Sequence, residues 1–221
     1  MWDIEIDPTD SDLVYCAYWD LCVMWTEDGG ESFTQSRVDA ENFNDFSATA
    51  IALDPADSRI VFAGTNNNDC FQGRIFRSED GGRSWNLSGG PKSGLPIGMV
   101  HRIIIDPFSS ADSRTIYATS YGNGVFKSTD NGRTWSAINS GLPDKNLKAW
   151  ALEMDPKDPR ILYLSIHHNH DHPGGMYKTV NAGESWSEVP VYEYLRYIYD
   201  IEVDPADSNI LYAGTRFEWD N

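Results

Sequence analysis

The chain has 221 residues and sets 34 Asp plus Glu against 17 Lys plus Arg, a formal charge of −17. Such a surface repels polyanions and has no basic stripe to release counterions, which argues against nucleic acid and anionic membranes as partners. Apolar runs are only a few residues long, so no membrane span is expected, and an aromatic content of 13% fits a folded protein.

In chain order, the first expected strand runs from Trp2 to Asp7 and closes on Asp7-Pro8. The same Asp-Pro ending recurs at Asp54, Asp106, Asp155 and Asp204, each time followed by a second apolar run. Cys16 and Cys22 fall on neighbouring strands of the first repeat. They either pair across that hairpin or stand as buried free thiols, with Cys16 where the second repeat has Ala63, while Cys70 sits alone in a loop. A box of eight residues then appears four times, at 26–33, 78–85, 128–135 and 179–186. Its third positions are Asp28, Asp80, Asp130 and Asn181, spaced by 52, 50 and 51 residues, and its last positions are Phe33, Trp85, Trp135 and Trp186.

Each period holds four short β-type runs, in the second copy 51–53, 60–63, 74–77 and 84–87, separated by Gly, Pro, Asp and Asn. A repeat of about 50 residues with four strands describes a propeller blade, which cannot bury its faces without neighbours. The expected fold is therefore an all-β β-propeller of four-stranded antiparallel blades. Four blades, near 1–46, 47–98, 99–147 and 148–196, are followed by half of a fifth at 197–221, as part of a larger ring such as a seven-bladed one. In the box, the Asp or Asn accepts from its own turn, the Gly permits the reversal, and the aromatic residue caps the blade's core. These residues read as folding staples.

The boxes resemble the Asp-box, or BNR, repeats of sialidases, family 74 xyloglucanases, the sortilin ectodomain and photosystem II assembly propellers. The Asp-Pro strand pairs are closest in texture to family 74 and sortilin-like proteins. This resemblance implies a propeller over nearly the whole chain and an extracellular or periplasmic setting, with no signal peptide in this sequence.

Asp-Pro turns and boxes are expected on one rim and the irregular loops on the other, where recognition belongs. That rim carries Trp19, Tyr121 and Trp219, and the equivalent first-strand positions Trp2, Thr49, His101, Trp150 and Tyr199 should surround the mouth of a central channel. Aromatic faces with nearby carboxylates point to a polysaccharide or glycan, although such rings also pack between blades. Hydrolysis needs two flanking carboxyl groups, for which Asp200 and Asp45 are the candidates. Where the family 74 resemblance implies a catalytic acid just before an Asp-Pro strand, this chain has Thr49. Arg37, Arg102, Arg196 and Arg216 show no spacing of a sialidase triad. His167, His168, His170 and His172 form a loop that either holds a transition metal or is a solvated polar loop, and calcium on residues 66–69 is a further option. No other cofactor is expected. The rival readings are a sortilin-like site for a protein or peptide and self-association through open blade edges.

Overall fold

The computed structural model describes residues 1–19, 22–38, 46–67, 73–191 and 197–215, with the side chains of Cys22, Phe46 and Asn67 excepted. Asp45, Asp69, Cys70, Arg196, Arg216 and Trp219 lie outside the described residues. The chain is a partial β-propeller. Its first blade is β1 (Asp3–Ile6), β2 (Val14–Tyr18), β3 (Cys22–Thr26) and β4 (Thr34–Ser36); its second is β5 (Phe46–Asp54), β6 (Asp57–Asn67), β7 (Ile75–Ser78) and β8 (Asn86–Gly89). The third comprises β9 (Ile103–Ile105), β10 (Ile116–Gly122), β11 (Gly124–Ser128) and β12 (Ser136–Ala137). The fourth comprises β13 (Leu147–Met154), β14 (Leu162–Ile166), β15 (Gly175–Thr179) and β16 (Ser187–Val189), and β17 (Ile198–Val203) pairs with β18 (Leu211–Thr215). Within each blade, successive strands pair antiparallel in sequence order.

The box turns are closed by side chains. In the second blade, Ser78 Oγ donates to Asp80 Oδ1 at 2.8 Å and accepts from Gly82 N at 2.8 Å. Asp80 also accepts from the N–H and hydroxyl of Ser84, at 2.8 and 2.6 Å. That use of Ser84 holds it and Trp85 in the turn, so the outer strand starts at Asn86, two residues later than the sequence suggests. Asn181 keeps the pattern with one reversal: its Nδ2 donates to Ser185 Oγ at 3.0 Å, where the aspartates accept from the hydroxyl. Hydroxyl and backbone donors hold the Asp28 carboxyl down to about 2, and the Asp80 and Asp130 carboxyls are lowered as well. The fourth box position needs left-handed backbone and is Gly29 or Gly81 in the first two blades, but Asn131 (φ 60) and Ala182 (φ 56) in the next two. From this position Gly29, Asn131 and Ala182 each donate a backbone bond to the loop joining the first two strands of the same blade, at Asp12, Arg114 and Arg160, and Gly81 donates to Arg59 at the start of β6. Box turns and Asp-Pro turns thus share a rim.

The hydrophobic cores lie between blades rather than within them. One cluster joins Phe62 and Ile75 of the second blade to Ile103, Ile116, Phe126 and Trp135 of the third. Trp85 packs with Tyr15 and Trp25 of the first blade and donates to Ser36 Oγ at 2.9 Å, while Trp186 donates to the Ile138 carbonyl at 2.7 Å. The box tryptophans are therefore plugs against the preceding blade, which corrects their reading as caps of their own. Phe33, in the same place on the first blade, is 46% exposed. The turn aspartates also cross blades. Asp54 receives Nε and Nη2 of Arg114 at 2.8 and 2.9 Å, both side chains being 6% exposed, and Asp155 accepts from Ser208 Oγ at 3.0 Å. Cys16 is a buried free thiol paired in register with Met24, while Cys22 stands opposite Tyr18.

Candidate functional site

The first strands of successive blades, β1, β5, β9, β13 and β17, adjoin one another and form the inner wall. Three of them break register where the sequence placed the channel mouth: β5 between Ala48 and Ala50, β13 between Ala149 and Leu152, β17 between Ile198 and Asp200. A bulge re-aims the extra side chain, so Thr49, Trp150 and Tyr199 leave the ladder's alternation. They line one cavity of about 350 Å³ together with Trp2, Asp3, His101, Arg102, Asp200 and Glu202.

The rings form one continuous cluster. Trp150 is stacked on both faces, by His101 at 3.6 Å and His167 at 4.5 Å between centroids, and Tyr199 meets it edge-on at 5.2 Å. Both faces being covered, Trp150 offers a ligand only its edge. The exposed rings are Trp2 at 42% and Tyr199 at 37%, and Trp19 backs Trp2 at 5.3 Å. Tyr121 lies against His101 and Trp150, at 5.8 and 6.2 Å. Burial drives His101 down to about 3 and His167 to about 4, so both imidazoles are neutral at pH 7. His167 Nε2 meets the Ile198 carbonyl at 3.0 Å, whereas His101 Nε2 is buried with no hydrogen-bond partner. A buried ring nitrogen left unpaired beside a cavity is suited to a ligand hydroxyl or a water.

Below the rings lies a set of charges that sequence reasoning mostly missed. Arg102 Nη1 donates to Asp3 Oδ1 at 2.9 Å and its Nη2 approaches Glu153 at 3.8 Å; Asp3 also accepts from Ile51 N at 3.0 Å. Glu5, Asp200 and Glu202 act electrostatically on the same group. Burial, only partly offset by Arg102, raises Glu153 to about 8 and Glu5 to about 7. The signal was present as alternation: one and three places after the mouth position stand Asp3 and Glu5, Ala151 and Glu153, Asp200 and Glu202.

Thr49, in the position of the family 74 acid, is 1% exposed and donates to the Val100 carbonyl at 2.5 Å, a structural role. The histidine loop does not converge. His167 is drawn into the aromatic stack, His172 Nε2 lies 2.8 Å from Asn169 Nδ2 within its own turn, and His170 is exposed. Among the described residues no three His, Cys, Asp or Glu side chains come together to hold a metal ion, which corrects the metal reading of His167, His168, His170 and His172.

The chain is 27% identical over 82% of its length to a xyloglucanase of Hypocrea jecorina, and 29% identical over 85% to xyloglucanase Xgh74A of Acetivibrio thermocellus. It spans about a quarter of those relatives, covering 25% of each. Among solved structures, an ancestral GH74 enzyme superposes with a TM-score of 0.71 at 22% identity, over 96% of this chain and 27% of that one. The chain is a glycoside-hydrolase-like propeller segment. A family model described as sortilin, neurotensin receptor 3, matches residues 73–216, well over half of the sequence, and the chain belongs to the Sortilin-Vps10 family.

Proposed function

We propose that this segment recognises a neutral, hydroxyl-rich glycan at the axial cavity, as part of an extracellular or periplasmic protein. The observation that carries this reading is the lining itself: the exposed rings of Trp2 and Tyr199 beside Asp200, Glu202 and the unpaired Nε2 of His101. Flat rings suit the apolar faces of sugars, and carboxylates accept from their hydroxyls. A cavity of about 350 Å³ is within the range of small-ligand sites. The xyloglucanase relatives support a glucan-type chain as the ligand. Sortilin-Vps10 membership favours a second reading, a peptide anchored by a cation. Here Arg102, the cavity's one cationic side chain among the described residues, already bonds Asp3 and faces Glu153, so its charge is spent. The four turns are proposed to be Asp-boxes, and the blades to be parts of a larger ring. Asp200 is the proposed carboxylate for any hydrolytic step.

Titration calorimetry with xyloglucan oligosaccharides, with reducing-sugar release assayed in parallel, tests the proposal. Binding should weaken about tenfold in Trp2→Ala and in Tyr199→Ala, the loss of one stacking ring. Unchanged affinity in both variants would sink the glycan reading at this cavity, and release abolished by Asp200→Asn would make the site hydrolytic.

A further inference from the structure

A second concavity, of about 890 Å³, lies between the second and third blades on their outer side. It is walled by Arg77 of β7, Leu87 and Ser88 of β8, Lys92 in the connection that follows, and Arg133 in the third blade's box turn. With Arg74 the lining holds four cations against one carboxylate, Glu79, in a chain that carries twice as many acidic as basic residues. That local inversion of charge sign has a structural origin visible by comparing blades.

Arg83 holds the same box position in the second blade as Arg133 in the third. Its guanidinium bonds Glu27 at 3.0 Å and lies 4.8 Å over the Trp25 ring, both from the first blade. One blade on, the counterpart of Trp25 is Arg77 and the counterpart of Glu27 is Glu79, whose carboxylate is already bonded to Arg77. Arg133 is therefore left exposed, with no side-chain hydrogen bond or ion pair among the described residues, and the Arg77 Nε is buried without an acceptor. At the next boundary the equivalent position is Glu184, and Lys127 is occupied by the Ala182 carbonyl at 3.1 Å. At the groove itself Arg133 and Lys92 are exposed with no side-chain hydrogen bond or ion pair among the described residues, while Arg77 is paired with Glu79.

We propose that this groove is a docking site for an extended acidic segment of a partner protein. No aromatic ring lines it, so it lacks the stacking surface that a sugar chain would use. Its wall β8 pairs only with β7 among the described residues, leaving a main-chain edge to which an extended peptide adds as a strand. Carboxylates of that strand meet Arg77, Lys92 and Arg133, and Leu87, 46% exposed, takes an apolar side chain. This site is separate from the axial cavity, and its occupancy does not depend on the glycan reading.

The test is fluorescence anisotropy of a labelled hexaglutamate peptide against the protein at low salt, with hexalysine and hexaglutamine as controls. Arg133→Glu combined with Lys92→Glu should weaken hexaglutamate by about tenfold or more, with an unchanged melting temperature because both side chains are exposed. Arg83→Gln, one blade earlier, should leave affinity within about twofold. Absence of hexaglutamate binding overturns the proposal, as does equal loss in Arg83→Gln, which would mean diffuse electrostatics. Displacement of the peptide by an oligogalacturonate of equal or better affinity also overturns it, in favour of an acidic glycan.

Discussion

Replacing Glu153 by Gln reads the axial charges through stability. The folded chain holds this carboxyl at about 8 against an ordinary 4.5, chiefly through burial, with Arg102 opposing and Glu202, Asp200 and Glu5 adding repulsion. Between those values the folded state keeps a proton that the unfolded chain has released. Its contribution is complete below pH 4.5 and is lost as pH rises through about 8, so stability falls with rising pH. At about 1.4 kcal/mol per unit, the full gap corresponds to something on the order of 5 kcal/mol. The side chain is 19% exposed. Water therefore screens part of this, and the expected loss between pH 5 and 8 is on the order of 2–3 kcal/mol. Urea unfolding followed by tryptophan fluorescence measures it at each pH. Glu153→Gln, neutral throughout, should flatten the profile and gain most at pH 8, with a residual slope from Glu5 at about 7. Parallel profiles for the variant and the parent would refute the reasoning.

Arg114→Met strands the Asp54 carboxylate in a 6% exposed site and should cost about 3–5 kcal/mol, part of it recovered by adding Asp54→Asn; a loss under about 1 kcal/mol would show that the pair is solvated. Ala182→Gly removes left-handed strain at φ 56 and should raise the urea midpoint by the equivalent of about 0.5–1 kcal/mol, whereas Gly81→Ala at φ 70 should lower it by about 1–2 kcal/mol. Leu164→Ala, at a fully buried position of β14, should cost about 2–5 kcal/mol by the same measurement.

The repeat was legible because box and Asp-Pro turn each depend on short-range chemistry: a hydroxyl two residues before a carboxylate, and a left-handed position beside it. The destination of Trp85 and Trp186 was not, because a ring's partner across a blade boundary depends on how two sheets stack and leaves no local trace. Equivalent mouth positions could be aligned by repeat, and five of them meet at one cavity. That Trp150 has both faces covered was hidden, since His101 and His167 flank neighbouring strands, 49 and 17 residues away, whose approach is set by bulges. The four loop histidines looked alike in sequence, yet one is a buried ring in a stack and another an acceptor within a turn. The carboxylates around Arg102 were readable in principle from period-two alternation along the inner strands, but their shifted protonation arises only when five strands are brought to one axis.

The third and fourth blades are joined by main-chain pairing, with Tyr121 opposite Lys148 and Gly122 opposite Leu147. The other described sheets meet without a shared ladder. In a stack governed by nearest-neighbour coupling, that ladder turns two repeats into one cooperative unit. Amide protons of β10 to β16 should exchange with solvent together and slowly, while those of β5 to β8 open in a separate, earlier event. The seam beside the basic groove is then held by side-chain packing and single backbone bonds, such as Val100 N to the Thr65 carbonyl, rather than by a continuous ladder.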